Sequence, residues 1–416
     1  MDIGEEYYPL ILKCGIWDYN PLIDGRGKLK AKRLKEKGIA LVLGMLLLLV
    51  LTFIGISVLN SSIYDILISG NERASIQAFY VAEAGINEFI GRFRANATNQ
   101  ILDNDPSNPD WKVLLAKYPG KGATQIGFIS GDPNSIPSLQ NQLDFGLEVK
   151  HNIDASNQVV QYGGVPIYIL KGFGFTTNSG SKVLEVELRK SPDYDPPAAL
   201  YSEMPVHIHG SSTYINGNDK PGVMTLTTTT PPIEESGNPS INGSPPKVTL
   251  TSNPPPTSLQ IKEMLDYLKG DANFNYSYNG NQTLTGYSDD WGTPTSNGTS
   301  VPITYTGPMN IVYFNMDGNK TLKLTGGSHG AGILLVEGNL EINGGFTWYG
   351  VILATGVVAY TGGGEKNITG GIMSGGNTNI EVDIGGNSGI IYCSTVSNKL
   401  KDIVPPLKIT RWREIF

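Results

Sequence analysis

The sequence predicts an α+β chain in which a long N-terminal membrane-spanning helix packs on a small antiparallel sheet, followed by a mostly β, β-helix-like repeat domain. Three observations predict it. They are an uncharged run of 22 residues from Gly38 to Leu59, a period-two pattern at Ser181–Arg189, and apolar β runs that return about every twenty residues between Ile311 and Cys393. At 416 residues the chain has room for two or three domains. Its 51 glycines and 26 prolines, beside only 17% charged residues, favour turn-rich β architecture over helical bundles.

The first element is the apolar run. It meets the roughly 20 residues that a bilayer core requires, and the flank Arg26–Lys37 carries seven basic residues and one acid, Glu36. Such a flank stays cytoplasmic, so the residues beyond Leu59 face outward. The net charge of -7 divides unevenly: residues 1–38 hold eight Lys/Arg against six Asp/Glu, which is +2, and the rest carries -9. An acidic body without a basic patch excludes nucleic-acid binding. The two cysteines, Cys14 and Cys393, fall on opposite sides of the charge-to-apolar junction, and Cys393 sits in an apolar run as a small hydrophobe.

A secretory signal has a shorter apolar region and a small-residue cleavage site at its far end. Here the small residue, Gly38, stands at the near end, in Lys35-Glu36-Lys37-Gly38-Ile39-Ala40. That arrangement resembles the class III signal of type IV prepilins. Gly38-Ile39-Ala40-Leu41-Val42-Leu43, the leucine run, Ser69-Gly70-Asn71-Glu72 and Ala78-Phe79-Tyr80-Val81-Ala82-Glu83-Ala84-Gly85 together resemble the N-terminal region of PilX-type minor pilins. The resemblance implies that prepilin peptidase removes residues 1–38 by cutting between Gly38 and Ile39, and that Ile39 is N-methylated. It implies an assembly helix over 39–95, marked by Leu43, Gly44, Gly55 and Glu83, that meets other pilin subunits and the inner-membrane assembly platform. It also implies a single-pass protein of the bacterial inner membrane, its C-terminal part outward, that passes to a pilus or cell surface. Two positions depart from the pattern: Leu43 stands where major pilins have glutamate, and Ile39 where they usually have Phe. An apolar fifth residue predicts a tip or initiating subunit, because a buried ammonium without a partner is costly. A pilus, a secretion pseudopilus and a DNA-uptake filament stay open as the machine. The leader is long, and a start nearer Arg26 fits as well.

Beyond the span, Ile76, Phe79, Ile86, Phe89, Ile90 and Phe93 mark one face of a helix ending near Ala95, with a kink expected at Ser69-Gly70-Asn71. Strands are predicted at Phe145–Lys150, Gln158–Gln161, Ile167–Gly172 and, after a turn at Asn178-Ser179-Gly180, at Ser181–Arg189. The sheet region thus spans 96–190 and a linker 191–200. Asp103, Asp105, Ser107 and Asp110 crowd one loop at a spacing a calcium site uses, without the bidentate Glu such a site needs.

The region 201–416 repeats. Runs begin at Ile311, Ile333, Val351, Ile372 and Ile390, and a solenoid coil of two or three short strands suits those intervals. An irregular earlier coil is placed at Val206–Asp219. The Pro/Thr-rich insertion 225–256 reads as exposed loop. A helix over 258–269, capped by Ser258 and stopped by Gly270, is expected to cover an open end of the solenoid.

No nucleophile or zinc motif is present, so no catalytic, metal or cofactor residue is assigned. His207 and His209 share a strand face, with no third ligand evident nearby in the sequence. An alternative reading is a surface adhesin or glycan-binding module on a signal anchor, in which Trp348, Tyr349 and Tyr360 stack on a surface polysaccharide or host ligand.

Overall fold

The computed structural model describes residues 36–95, 102–116, 144–176, 180–226, 231–250, 256–286, 291–295, 298–317, 320–376 and 382–415. Residues 1–35 of the expected leader and the turn at Asn178-Ser179 lie outside them. The chain divides into two compact units, Met1–Gly70 and Asn71–Phe416.

In the first unit, helix α1 (Glu36–Ala95) begins and presents its apolar residues outward: Ile39, Leu43, Leu46 and Phe53 are each more than 60% exposed. Helical residues continue through Ser69-Gly70-Asn71, where the two units meet in the sequence.

In the second unit the rest of α1 lies on an antiparallel sheet. Its spatial order is β1 (Lys112–Ala116), β2 (Asp144–His151), β4 (Val165–Phe175), β5 (Ser181–Lys190) and β24 (Leu407–Ile415), with β3 (Gln161–Tyr162) as a hairpin on β4. Leu184, Val186 and Leu188, the alternating set, are fully buried against Ile86, Phe89 and Phe93. Each such large apolar side chain contributes about 1.5–3 kcal/mol on burial. The upper contact differs from the expectation, since Ile76 is 49% exposed and Phe79 only half-buried. Ala74, Ala78 and Ala82 are buried instead, against glycines of the sheet. A Cβ on Gly174 would lie 1.9 Å from the Ala78 carbonyl oxygen, and one on Gly172 would lie 2.8 Å from that of Ala82. Helix backbone meets strand backbone there, which an apolar periodicity does not register.

From Leu200 the chain forms a β-solenoid. One wall stacks seven parallel strands in the order β10 (Ile233–Ser236), β7 (Val206–His209), β22 (Val382–Ile384), β20 (Val358–Thr361), β18 (Asn339–Asn343), β16 (Thr321–Thr325) and β14 (Gln282–Thr285). The facing wall runs β11 (Ser240–Asn242), β8 (Tyr214–Asn216), β23 (Ser388–Tyr392), β21 (Lys366–Ser374), β19 (Phe346–Ala354), β17 (Ser328–Glu337), β15 (Asn310–Asn315) and β13 (Phe274–Ser277). A third short stack, β6 (Leu200–Ser202), β9 (Val223–Leu226) and β12 (Lys247–Leu250), continues from the second half of β21.

Leu324, Ile342, Tyr360 and Ile384 of the first wall meet Phe314, Leu334, Ile352 and Ile390 of the second in one core. The alternate residues Ile333, Leu335, Val351 and Leu353 point the other way, under helices α2 (Ser258–Leu268) and α3 (Ser394–Leu400). That two-sided burial explains why Ile333-Leu334-Leu335-Val336 reads as a continuous apolar run. Gly332, Gly350 and Gly370 form a column in register, at φ +119°, +154° and +142°. A Cβ on Gly350 would sit 1.7 Å from the Gly332 carbonyl oxygen, so only glycine fits the stacking.

Four expectations are corrected. The interval from Ile372 to Ile390 is not a coil, because Ile390 pairs with Ile368 while Ile372 pairs with Leu200. The segment Val206–Asn216 does not precede the stack but docks on its last strands, β22 and β23. Much of the 225–256 insertion is an outer coil, β10 to β12, paired on β7 to β9, although its side chains are largely exposed. Finally, α2 covers the flank of the second wall rather than an end. Its cap is Thr257, whose side chain and that of Gln260 make a reciprocal box; Ser258 Oγ bonds the Glu203 carboxylate and the Gly375 carbonyl instead.

The path is therefore not sequential in space. The chain enters mid-stack at β6, winds to one end, crosses through α2 to the far end, and climbs back until β23 lies beside β8. Strand β6 sits between β21 and β9, completing the coil that β22 and β23 begin. The last strand, β24, leaves the solenoid and pairs with β5 of the first sheet.

Candidate assembly helix

The residues singled out in the sequence fall on one helix but in two settings. Gly38, the expected cleavage residue, and Ile39 lie in its first turn, and Ile39 is 67% exposed. Leu43 is equally exposed, and a Cβ added to Gly44 or Gly55 would meet nothing within 4 Å. Close approach at those glycines is available to another chain. Thr52, one of two hydroxyl residues in the run with Ser57, folds its hydroxyl back to the Leu48 and Leu49 carbonyls at 2.8 Å each, which satisfies it without water. Glu83 is far from these residues along the helix and half-buried on the docked part.

The other candidates are not gathered around this helix. In the loop at 103–110 the carboxylates serve the loop itself: Asp103 accepts from the Asp105 amide at 2.9 Å and the Asn108 side chain at 2.8 Å. The Ser107 hydroxyl and amide hold the Asp105 carboxyl below its ordinary range. His207 and His209 share the outer face of β7, as their spacing requires, and β22 brings a carboxylate that the sequence did not reveal. Asp383 Oδ1 lies 3.4 Å from His207 Nδ1 and 3.2 Å from His209 Nε2. The missing signal is the pairing of β22 with β7, two strands far apart in the chain. Among the described residues no group of three or more His, Cys, Asp or Glu is arranged to hold a metal ion. The aromatic residues expected to stack on sugars are buried, Trp348 and Tyr360 fully and Tyr349 to 5% exposure, so none offers a ring face to a ligand.

A second polar centre ties linker to solenoid. Asp195 receives Lys220 Nζ at 2.6 Å and the Tyr392 hydroxyl at 2.8 Å, with Lys220 Nζ 4.5 Å from the Tyr392 ring centre. Burial pushes the Asp195 carboxyl up, but the Lys220, Ser397 and Tyr392 contacts outweigh it and leave it below the usual range. Nothing in this arrangement activates a nucleophile or moves a proton to a substrate; it joins structural segments.

The comparisons bear on the helix. Residues 37–87 match the PilX N-terminal family model. That segment, 51 of the 416 residues, resembles a PilX N-terminal domain. The match covers the exposed apolar run and the first part of the docked helix, and it includes all six candidate residues of the assembly helix. No curated protein matches the chain. Among solved structures, the competence-associated pilin ComZ from Thermus thermophilus aligns over 82% of this chain and 97% of its own, at 13% identity and a TM-score of 0.23, a superposition too loose to define a shared fold. The exposed apolar run within the match is long and apolar enough to cross a membrane.

Proposed function

We propose that this chain is a minor pilin or pseudopilin of a type IV pilus or type II secretion system, cut by prepilin peptidase between Gly38 and Ile39 and incorporated in the filament with its solenoid displayed. The observation that carries the reading is the exposed apolar helix within the PilX N-terminal match, together with a second half already committed to a sheet. An apolar surface of that length needs lipid or other helices as its surroundings, and lateral packing as subunits leave the membrane supplies the second. Gly44 and Gly55 permit the close approach.

Leu43 supports a position at the tip. A subunit packed beneath another normally offers a carboxylate to the amino terminus above it; this chain offers leucine, which would leave an overlying buried ammonium unpaired, whereas at the tip no subunit lies above. Methylation of Ile39 belongs to the same reading. The adhesin alternative loses its residues, because the rings assigned to sugar stacking are inside the solenoid.

Mass spectrometry of the membrane-extracted protein tests the core of the proposal: the amino end should be a methylated Ile39, and a Gly38→Val variant should keep its leader. A mature-sized Gly38→Val product overturns the cleavage assignment. Labelling of purified filaments then separates tip from shaft, and decoration spread evenly along their length removes the tip placement.

A further inference from the structure

His151 ends β2 and is 1% exposed. Its two ring nitrogens both face backbone carbonyl oxygens of the 103–110 loop: Nδ1 is 2.9 Å from the Asn108 oxygen and Nε2 is 2.8 Å from the Asp103 oxygen. A carbonyl oxygen can only accept. A neutral imidazole carries one N–H and one bare lone pair, so it satisfies one of these contacts and sets lone pair against lone pair in the other. The ring form that satisfies both is the imidazolium. A tautomer change only moves the conflict from one contact to the other, since both acceptors are main-chain oxygens.

The surroundings suit a cation. Trp111 packs its ring 4.8 Å from the histidine ring, and Tyr168 of β4 lies at 5.6 Å while donating its hydroxyl to the Asp103 oxygen at 3.0 Å. On the loop, Asp103 and Asp105 are the acidic neighbours. On the strands, Lys150 precedes His151, and Lys190 of β5 reaches the loop through the Asn104 side chain at 2.9 Å. Glu185, Glu187, Arg411 and Arg413 line the groove in which His151 also takes part.

We propose that the oxygen-rich loop is organised around an internal cation, the doubly protonated His151, and that this contact is an acid-strengthened latch between the loop and the sheet. The carboxylate spacing that reads in the sequence as a metal loop then has a different meaning: the loop turns its carbonyls toward a side chain of its own sheet. The folded loop binds both ring protons, so acid favours the latched state and rising pH weakens it. Loss of the second proton removes one hydrogen bond and leaves a buried acceptor facing a lone pair, and loop opening should rise by roughly tenfold.

The test uses the full chain in detergent micelles, labelled with nitrogen-15 at histidine. Ring-nitrogen correlations distinguish a ring protonated at both nitrogens from one protonated at a single nitrogen, and His151→Gln identifies the signal among the four histidines. At about pH 7.5, where a free imidazole is mostly neutral, both His151 nitrogens should carry protons. Amide protection over 103–111, corrected for intrinsic exchange, should fall by roughly tenfold once the ring finally loses its second proton. A single protonated nitrogen at that pH, or loop protection that ignores the titration, overturns the proposal. Should His151→Gln not fold, selective broadening of the three more exposed histidines by an aqueous relaxation agent makes the assignment in the unmodified protein.

Discussion

Gly174→Ala should detach the docked half of α1 from its sheet. The added Cβ would lie 1.9 Å from the Ala78 carbonyl oxygen and 2.7 Å from the Ala82 amide nitrogen, both of them helix backbone. To restore even a 3.4 Å contact the helix must lift by about 1.5 Å, the difference 3.4 − 1.9. No side chain can swing aside to absorb that shift. Overpacking alone costs about 1–3 kcal/mol, and a gap of 0.5–1 Å already forfeits a quarter to a half of a dispersion well. With Ile86, Phe89 and Phe93 all drawn from their contacts, about 3 kcal/mol is the expected loss, which is roughly 150-fold in a local opening constant. Hydrogen exchange of the full chain in micelles should show that acceleration in peptides covering 78–93 and 165–175. The control is Gly363→Ala, where a Cβ meets nothing within 4 Å. Exchange in Gly174→Ala within threefold of the unchanged protein would refute the backbone-to-backbone account.

Further perturbations address the solenoid. Asp195→Asn removes a charged acceptor of Lys220 and Tyr392 and should cost about 2 kcal/mol at neutral pH. Because the folded carboxyl is held below its ordinary value, its contribution is present above the unfolded value and lost as pH falls through the folded one. Urea titrations of the two proteins should therefore converge in acid, and a gap that persists there would contradict the assignment. Lys366 is fully buried, its ammonium bonded to the Gly362 carbonyl at 2.7 Å and burial pulling it below the usual lysine range. Lys366→Met should be neutral or stabilising by about 1 kcal/mol in thermal unfolding, and a large loss would mean that the charge has a partner it depends on. Thr257→Ala removes the α2 cap and should cost about 1 kcal/mol, where Ser258→Ala tests the separate anchor to Glu203 and Gly375.

How much of this was legible depends on whether the contact is local. The long N-terminal helix was readable from its unbroken apolar run, and the strand at Ser181–Arg189 and the apolar runs of the repeats because burial imposes a period on adjacent residues. The Ala–Gly contact of α1 was not, since close approach of backbones is signalled by missing side chains. The coil order failed for a different reason. Runs at Ile372 and Ile390 look like successive coils, yet Leu200 supplies the partner of Ile372, and nothing near either residue announces a strand from the linker. Asp383 beside the two histidines was hidden in the same way. The capping of α2 was misplaced by one residue because Thr257 and Ser258 are both good cap types, and the partner Gln260 decides between them. The candidate assembly residues, in contrast, stood in one contiguous segment, and the family match falls on it.

The shared coil has a consequence for synthesis. Strand β6 comes first in the solenoid sequence, but its neighbour β21 arrives about 170 residues later, with Leu200 pairing Ile372, and the strands β22 and β23 that fill the same level arrive later still. Pairings of that sequence separation form slowly, because a long loop must close before any contact rewards it. The early strands must wait with open edges until nearly the whole polypeptide has been made, and β24 is the final piece to reach its sheet. A truncated or stalled chain thus exposes sticky β edges, which makes folding dependent on a complete polypeptide and gives quality-control proteases a clear mark to recognise.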